Sequence, residues 1–307
     1  MLGTCCVPWA EDGAFAEAIF RRSVRALVDG GVRDLYIFGT AGEGYAVTDG
    51  LFDRITRVFV EETSALGVPP MVGIISPSLL TVIERIETAA ALGVALFQVS
   101  LPSWGTLTDA EVTLFFREVC GRFPQLRFLH YNLPRTGRML SGRHYAELSA
   151  AYPNLVATKY GGPDVRFIAE LLLEAPLLRH FFTEFGYAAG SALGEPGFLL
   201  SFSSSSLRRA RSYFRAGVER DLTALAAMQR ELAGVRRELA AAVGLGPHMD
   251  GAFDKLFNRL LLPEFPLRLL SPYLGASEEA FERYAAVLRS RFPQWLDTVP
   301  APPAAPT

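Results

Sequence analysis

Lysine is scarce in this chain, and the position of one lysine suggests chemistry. Of the 30 lysine and arginine residues, only Lys159 and Lys255 are lysine. Lys159 ends a short apolar run that is typical of a buried β-strand. Burial lowers the pKa of a lysine and leaves part of it as the free amine, a nucleophile for carbonyl carbons. The alternative is a structural lysine paired with a carboxylate. Lys255, which adjoins Asp254 in a helical segment, is expected to be an ordinary exposed residue.

Other polar groups follow neighbouring apolar runs. Tyr131 ends the run before that of Lys159, and its phenol could relay protons or could simply be packed and hydrogen-bonded. The segment Gly39-Thr40-Ala41-Gly42-Glu43 follows an earlier run, where free backbone N–H groups and a hydroxyl can hold a carboxylate, although a plain β-turn is the alternative. Serines 203–206 follow the last run and could form an anion site or the N-cap of a helix that starts at Leu207.

Eight such apolar runs recur along the chain and must position these groups. They cover residues 4–7, 35–38, 71–75, 96–99, 127–131, 155–159, 180–183 and 197–202. Segments of helical periodicity separate them, which is typical of parallel strands with crossover helices. Eight units predict an α/β fold of the TIM (β/α)₈ barrel type, with a doubly wound sheet as the competing topology. In a barrel, the ends of the fifth and sixth strands meet at one mouth, which brings Tyr131 and Lys159 together.

The last third of the chain has only helical periodicity. Segments 222–243, 252–262 and 277–291 repeat at about 3.6 residues. We therefore predict a barrel over residues 1–218, a C-terminal helical extension over 219–295 and a disordered tail, rich in proline and alanine, over 296–307.

Composition excludes several classes of function. The net charge of -2 gives no general attraction to nucleic acid or to a membrane surface. The four histidines and three cysteines form no motif with metal-ligand spacing, and we expect neither a metal nor another cofactor. The N-terminus lacks a secretory signal and no apolar run is long enough to span a membrane, so we expect a cytoplasmic protein with a small-molecule ligand.

Taken together, these motifs resemble those of the dihydrodipicolinate synthase / N-acetylneuraminate lyase family of class I aldolases, over nearly the whole chain. Residues 39–43 match the family pattern G-[TS]-T-G-E, and Tyr131-Asn132-Leu133-Pro134 matches Y-N-x-P. Lys159 ends the segment Val-Ala-Thr-Lys, and its separation of 28 residues from Tyr131 is also that of the family.

The resemblance implies a role for each matching residue. Lys159 would form a Schiff base with the substrate, Tyr131 would relay protons, and Thr40 would be the hydroxyl partner of Tyr131. The backbone at Thr40 and Ala41, together with Gly42, would bind the carboxylate of a 2-oxo acid. The family also implies a homo-oligomer, either a tetramer or a dimer.

Five residues depart from the family pattern. Ala41 replaces a threonine, and Ser103 and Trp104 replace the paired tyrosines of the family, so the tyrosine that completes the relay from a neighbouring subunit in the synthases is absent. Arg135 follows Pro134 one residue earlier than the family arginine, and either contacts a substrate carboxylate or points to solvent. Glu184 replaces a glycine and could bind a polar group of a second substrate. Trp104 could line a pocket for an apolar or aromatic aldehyde, or lie in the core.

The function that the sequence predicts is that of a lyase or aldolase acting on pyruvate or a 2-oxo-3-deoxy acid, with an aldehyde as possible second substrate. Three alternatives stay open. One is a dehydratase of 2-oxo-3-deoxy sugar acids in which Glu184 supplies the acid, and another is an authentic 4-hydroxy-tetrahydrodipicolinate synthase. The third is a degenerate barrel that binds a small molecule without reaction.

Overall fold

Eight parallel strands form one sheet in the computed structural model, which describes residues 1–244 and 248–297. The predicted disordered tail therefore lies outside the described residues from residue 298 onward. Each strand pairs with the next one along the chain. The strands are β1 (Leu2–Thr4), β2 (Asp34–Ile37), β3 (Pro70–Ile74), β4 (Leu96–Val99), β5 (Arg127–Tyr131), β6 (Leu155–Tyr160), β7 (Arg179–Phe182) and β8 (Gly197–Phe198).

The first and last strands meet and complete the barrel. A parallel bridge joins Leu2 to Leu199, and the N–H of Leu200 donates to the carbonyl of Leu2 at 3.0 Å. This closure excludes the open, doubly wound sheet and confirms the predicted TIM barrel.

Six predicted strands differ from the observed ones, four of them by one residue at one or both ends and two, β1 and β8, by more. β1 begins and ends earlier than the predicted residues 4–7, because its ladder with β2 stops at the pair Thr4 and Tyr36. The buried run that follows, Cys5 to Val7, is loop. β8 is shorter than the predicted residues 197–202, because β7 offers pairing only as far as Phe182.

Helices surround the barrel, one after each strand. They are α1 (Glu17–Asp29), α2 (Asp49–Ala65), α3 (Leu79–Ala91), α4 (Asp109–Phe116), α5 (Gly142–Ala151), α6 (Val165–Glu174), α7 (Glu184–Ser191) and α8 (Leu207–Val218). A π-helical turn, Arg117–Gly121, continues α4. Each helix packs an apolar face on the outside of the sheet, which forms the main hydrophobic core.

Three further helices extend the barrel: α9 (Leu222–Val243), α10 (Gly251–Leu261) and α11 (Glu278–Arg291). α9 packs against α7, α8 and α11, while α10 lies against α1 and the short helix Phe202–Ser205 after β8. The extension therefore reaches the carboxyl ends of the strands, where sites of such barrels are found. No helix within the described residues is both long enough and apolar enough to cross a membrane.

Side chains along each strand point alternately into the barrel and towards the helices, and this alternation determines which of them fill the interior. A layer of apolar side chains fills the interior; its fully or nearly buried members are Leu2, Tyr36, Met71, Leu129, Ala157 and Leu199. Lys159 lies two residues after Ala157 and Tyr131 lies two after Leu129, so both point to the same interior. The two residues are also paired in register across β5 and β6.

Candidate active site

Lys159 lies at the base of a cavity of about 520 Å³ at the carboxyl ends of the strands. Its side chain is buried, and its Nζ donates to the hydroxyl of Tyr36 at 2.7 Å and to Oε1 of Gln98 at 3.2 Å. Among the described residues, no carboxylate lies within ion-pair distance of this nitrogen. The structural alternative of a lysine neutralised by a salt bridge is therefore not what the geometry shows.

The environment of Lys159 favours the free amine. Burial lowers the pKa of Lys159 to about 8, although Asp250 and Asp254 act in the opposite direction. An ordinary lysine is almost fully charged at neutral pH, whereas a group with this pKa is uncharged in about one molecule in ten at pH 7. The nitrogen is thus available as a nucleophile.

Two tyrosines enclose the amine. Nζ lies 3.9 Å from the centre of the Tyr131 ring and 4.5 Å from the centre of the Tyr36 ring. Burial raises the pKa of the Tyr131 phenol, so it holds its proton at neutral pH. The hydroxyl of Thr40 lies near that phenol, but Thr40 Oγ1 is buried and makes no hydrogen bond of normal geometry within the described chain.

The segment 39–43 folds as a tight turn after β2, and Ala41 from this turn lines the cavity. In the described structure no backbone carbonyl accepts a hydrogen bond from the N–H of Thr40 or Ala41. Gly39 and Gly42 of this turn lie so close to neighbouring atoms that there is no room for a side chain. A Cβ on Gly39 would lie 2.5 Å from the Tyr36 ring, and one on Gly42 would lie 2.7 Å from the backbone nitrogen of Phe38.

Glu43, the last residue of this motif, has a structural role, because it forms an ion pair with Lys255. Lys255 was expected to be an exposed residue, and this expectation is wrong. The Lys255 side chain is fully buried, not exposed, and its Nζ lies 2.6 Å from Oε1 of Glu43, which is buried as well. Glu43 also accepts hydrogen bonds from Nε1 of Trp9 at 2.8 Å and from the N–H of Leu270 at 2.7 Å. The pair fastens α10 to the turn that carries Thr40 and Ala41.

Arg135 lines the cavity, but its charge is already engaged. Its guanidinium donates to Oδ1 of Asp250 at 3.1 Å, and Asp250 lines the same cavity. The Arg135 side chain is about half exposed, and its contact with a substrate carboxylate stays a prediction.

Glu184 does not line the cavity, although it was predicted to bind substrate. It is the first residue of α7, and its Oε1 accepts hydrogen bonds from the N–H of Ser201 and from the N–H and hydroxyl of Ser203. Its carboxyl group thus organises the segment after β8. Ser206 is the N-cap of α8, as one of the two predictions for serines 203–206 required.

Trp104 lies neither in the cavity nor in the core. It belongs to the loop between β4 and α4, and its side chain is 94% exposed. The prediction that this residue lies in the core is wrong for the described chain, because an aromatic residue in a loop carries no signal in the sequence that says which way it points. Its contact with a substrate stays a prediction.

The structure adds four residues that the sequence did not reveal: Tyr36 and Gln98 beside the amine, and Asp250 and Asp254 on α10. Tyr36 and Gln98 occupy interior positions of β2 and β4, so the alternation of the strands carried a signal for them. Asp250 and Asp254 come from the extension, which strand ends do not indicate. Within the described ranges no group of three or more histidine, cysteine, aspartate or glutamate residues is arranged to hold a metal ion.

Comparison with known proteins agrees with this geometry. The model of the dihydrodipicolinate synthetase family matches residues 1–233. The chain belongs to the dihydrodipicolinate synthetase family. This confirms the resemblance that residues 39–43, 131–134 and 159 predicted. The members of this family are lyases of the class I aldolase type, which is the enzyme class predicted from the sequence.

Relatives in this family are similar over part of their length. A 4-hydroxy-tetrahydrodipicolinate synthase of Exiguobacterium sibiricum is 28% identical over 170 residues, which cover 55% of this chain and 57% of that protein. Another, of Stenotrophomonas maltophilia, is 29% identical over 209 residues, 67% of this chain and 69% of that protein. The match to the first thus spans little more than half its length.

A solved structure shares the fold over almost the whole chain. A prophage protein of the dihydrodipicolinic acid synthase family from E. coli K12, in complex with pyruvate, superposes with a TM-score of 0.82. The match covers 94% of this chain and 97% of that protein at 17% sequence identity, a level at which the likeness concerns the fold.

Proposed function

We propose that this chain is a class I aldolase or lyase that holds pyruvate, or a 2-oxo-3-deoxy acid, as an imine on Lys159. The observation that carries the proposal is a buried lysine without a carboxylate partner in the described chain, whose pKa burial lowers to about 8, at the base of a cavity shared with Tyr131. Membership in the family and the pyruvate bound to the E. coli relative support the same substrate class.

The residues divide the chemistry among them. The free amine of Lys159 attacks the keto carbon, and the carbonyl oxygen leaves as water. The protonated imine draws electrons from the neighbouring methyl group, which loses a proton and becomes an enamine. The enamine carbon attacks the aldehyde carbon, which restores the imine, and the new hydroxyl gains the proton that the methyl group lost. Water then hydrolyses this imine, which releases the product as a 2-oxo acid and restores the amine of Lys159. Tyr131 is the proton relay. Its phenol holds its proton, and the centre of its ring lies 3.9 Å from Nζ of Lys159.

The carboxylate of the 2-oxo acid is assigned to the turn at Thr40 and Ala41. Their N–H groups have no acceptor in the described structure, and the buried hydroxyl of Thr40 lacks a hydrogen bond. Buried polar groups in this state are rare and indicate a partner that the free protein does not supply. A carboxylate would accept from all three.

Trapping with borohydride tests the proposal. The chain is incubated with pyruvate and sodium borohydride, and its intact mass is compared with that of Lys159→Met treated in the same way. The proposal predicts one reduced adduct on the unaltered chain and none on Lys159→Met. If neither pyruvate nor a longer 2-oxo acid gives an adduct, the proposal fails and the barrel is a binding protein.

The geometry favours aldol chemistry over the alternatives. The dehydratase hypothesis assigned the acid to Glu184, whose carboxyl group faces Ser201 and Ser203 and does not line the cavity. The synthase hypothesis would need an arginine that is free to bind the second substrate, whereas Arg135 is paired with Asp250.

We also propose that the chain assembles as a homo-oligomer, a dimer or tetramer, as the family resemblance implies. The exposed indole of Trp104, on a loop of the barrel, supports a contact surface there. Sedimentation at several concentrations decides between monomer, dimer and tetramer. The cytoplasmic location stays a prediction from the sequence.

A further inference from the structure

The C-terminal extension supplies one wall of the cavity. Seven residues of the extension line the cavity. They lie on α9, on α10 and directly before α10, and they are Arg236, Leu239, Ala240, Asp250, Phe253, Asp254 and Phe257. None of these residues belongs to the motifs that bind and activate the 2-oxo acid. They therefore define the space left for a second substrate, and they decide its chemical class.

Most of this wall is apolar. Leu239, Phe253 and Phe257 come from the extension, and Leu200 and Phe202 face the same cavity from the segment after β8. Five such side chains around one space favour a ligand with an apolar body, because that body would leave water on binding.

The polar groups of the wall offer a second carboxylate no free buried cation. Asp250 is the N-cap residue of α10 and lies one helical turn before Asp254, on the same side of the helix. Asp250 already holds Arg135 at 3.1 Å. In the described chain no other residue donates a hydrogen bond to the carboxyl group of Asp254, and burial raises its pKa to about 8. At that pKa the Asp254 carboxyl group is mostly protonated at neutral pH. An incoming carboxylate would therefore meet a neutral acid and an arginine that Asp250 already holds, and not a free buried cation.

One cation remains, at the exposed mouth. Arg236 lines the cavity, but it is an exposed residue whose guanidinium lies over the ring of Phe185, 5.3 Å from its centre. A surface arginine of this kind attracts anions only weakly, because solvent screens its charge. It is nevertheless the residue through which an anionic second substrate would have to be held.

The buried pair of Glu43 and Lys255 keeps this wall in place. Lys255 follows Asp254 directly in α10, and its ammonium group is fastened to the turn that binds the 2-oxo acid. The helix that carries Asp254, and that begins after its N-cap residue Asp250, is therefore joined to this turn by a contact within the protein core.

We propose that Asp250, Asp254 and the apolar wall of α9 and α10 form the subsite for the second substrate, and that it takes an uncharged aldehyde with an aromatic or branched aliphatic body in preference to one with a carboxylate. This inference rests on the proposed imine chemistry. It adds to that chemistry the class of the aldehyde.

A matched pair of aldehydes tests the proposal. Benzaldehyde and 4-formylbenzoate share one body and differ by a carboxylate. With pyruvate in excess, kcat/KM for each is measured from the rate of pyruvate consumption. We expect benzaldehyde to be preferred by about tenfold or more, because the carboxylate of 4-formylbenzoate would lose its water against an apolar wall that offers no free buried cation. Equal use of the two, preference for 4-formylbenzoate, or no turnover of either would overturn the proposal.

Three variants locate the cause of the preference. Asp250→Asn releases Arg135 and should raise kcat/KM for 4-formylbenzoate relative to benzaldehyde by about fivefold or more. Arg135→Gln removes the cation and should give no such gain. Arg236→Gln should leave the ratio within about twofold, because its charge is screened; a selective loss of 4-formylbenzoate turnover would show that this arginine binds the acid and would contradict the assignment.

Trapping of pyruvate distinguishes a failure of the proposed subsite from a failure of the proposed imine chemistry at Lys159. Each variant is treated with pyruvate and borohydride in the absence of aldehyde, and its unfolding midpoint is recorded. If the adduct forms and the preference for the uncharged aldehyde is absent, only the subsite is wrong. If the unaltered chain forms no adduct, the imine chemistry fails and the subsite falls with it.

Discussion

Replacing Glu43 with glutamine is expected to destabilise the chain strongly, because it leaves the ammonium group of Lys255 buried without a counter-charge. Both side chains are fully buried, and Nζ and Oε1 are 2.6 Å apart. Glutamine keeps the shape of the side chain but cannot neutralise Lys255. Its amide group can also serve only some of the donors, Trp9 Nε1 and the N–H of Leu270, that the two carboxylate oxygens accept from now.

The expected magnitude follows from the burial. Removing one partner of a buried ion pair typically costs about 3–5 kcal/mol, because the remaining charge is neither solvated nor paired. For a chain longer than 250 residues, each kcal/mol lowers the unfolding midpoint by about 2 °C, so Glu43→Gln should lower it by roughly 6–10 °C. The double variant Glu43→Gln/Lys255→Met removes the orphaned charge and should recover at least about half of that loss.

Thermal unfolding followed by tryptophan fluorescence measures these shifts, since Trp9 contacts the altered group. Arg22→Gln is the matched control. It breaks the pair of Arg22 and Glu264, which also joins α1 to the C-terminal extension, but at 2.9 Å on the exposed surface. Exposed pairs contribute less than about 1 kcal/mol. If Glu43→Gln shifts the midpoint no more than Arg22→Gln does, or if the double variant is less stable than Glu43→Gln, the reasoning about the buried pair is refuted.

Three further predictions concern the site itself. Because burial lowers the pKa of Lys159 to about 8, the free amine increases as the pH rises, and the rate of pyruvate trapping should climb between about pH 6 and 8 and level off above pH 9; a rate that still rises steeply at pH 10 would contradict the lowered pKa. Tyr131→Phe should still form the reduced pyruvate adduct but lose about 100-fold or more in aldol turnover, and a variant with unchanged kcat would show that this phenol is not the relay. Gly39→Ala places a Cβ 2.5 Å from the ring of Tyr36, so the ring must move. We expect this variant to lose about 1–3 kcal/mol of stability and to trap pyruvate more slowly. An unaltered unfolding midpoint and an unaltered rate of pyruvate trapping would show that the turn is not tightly packed.

The barrel could be predicted because strand and helix alternate in the sequence with clear punctuation. Local pattern was enough for β4 and β5, whose bounds are as predicted. It was not enough at the ends of the barrel. The buried run of Cys5, Cys6 and Val7 looks like a strand, but a strand ends where its neighbour stops pairing, and that neighbour is 30 residues away in sequence.

The site could be predicted in part for a related reason. Lys159 and Tyr131 end strands, and the topology of a barrel brings strand ends together. Contacts between distant segments left no local trace: Lys255 reaches Glu43 across 212 residues, so its helical surroundings suggested an exposed residue. Asp250, which neutralises Arg135, is likewise 115 residues away from it.

Locating the reduced pyruvate adduct within the sequence tests the central claim most directly. The chain has two lysines, and one of them, Lys255, is held in a buried ion pair. After trapping and proteolysis, tandem mass spectrometry should place the adduct on the peptide that contains Lys159 and find the peptide of Lys255 unmodified. An adduct on Lys255 or on the N-terminal amine, with Lys159 unmodified, would contradict the assignment of Lys159 as the nucleophile.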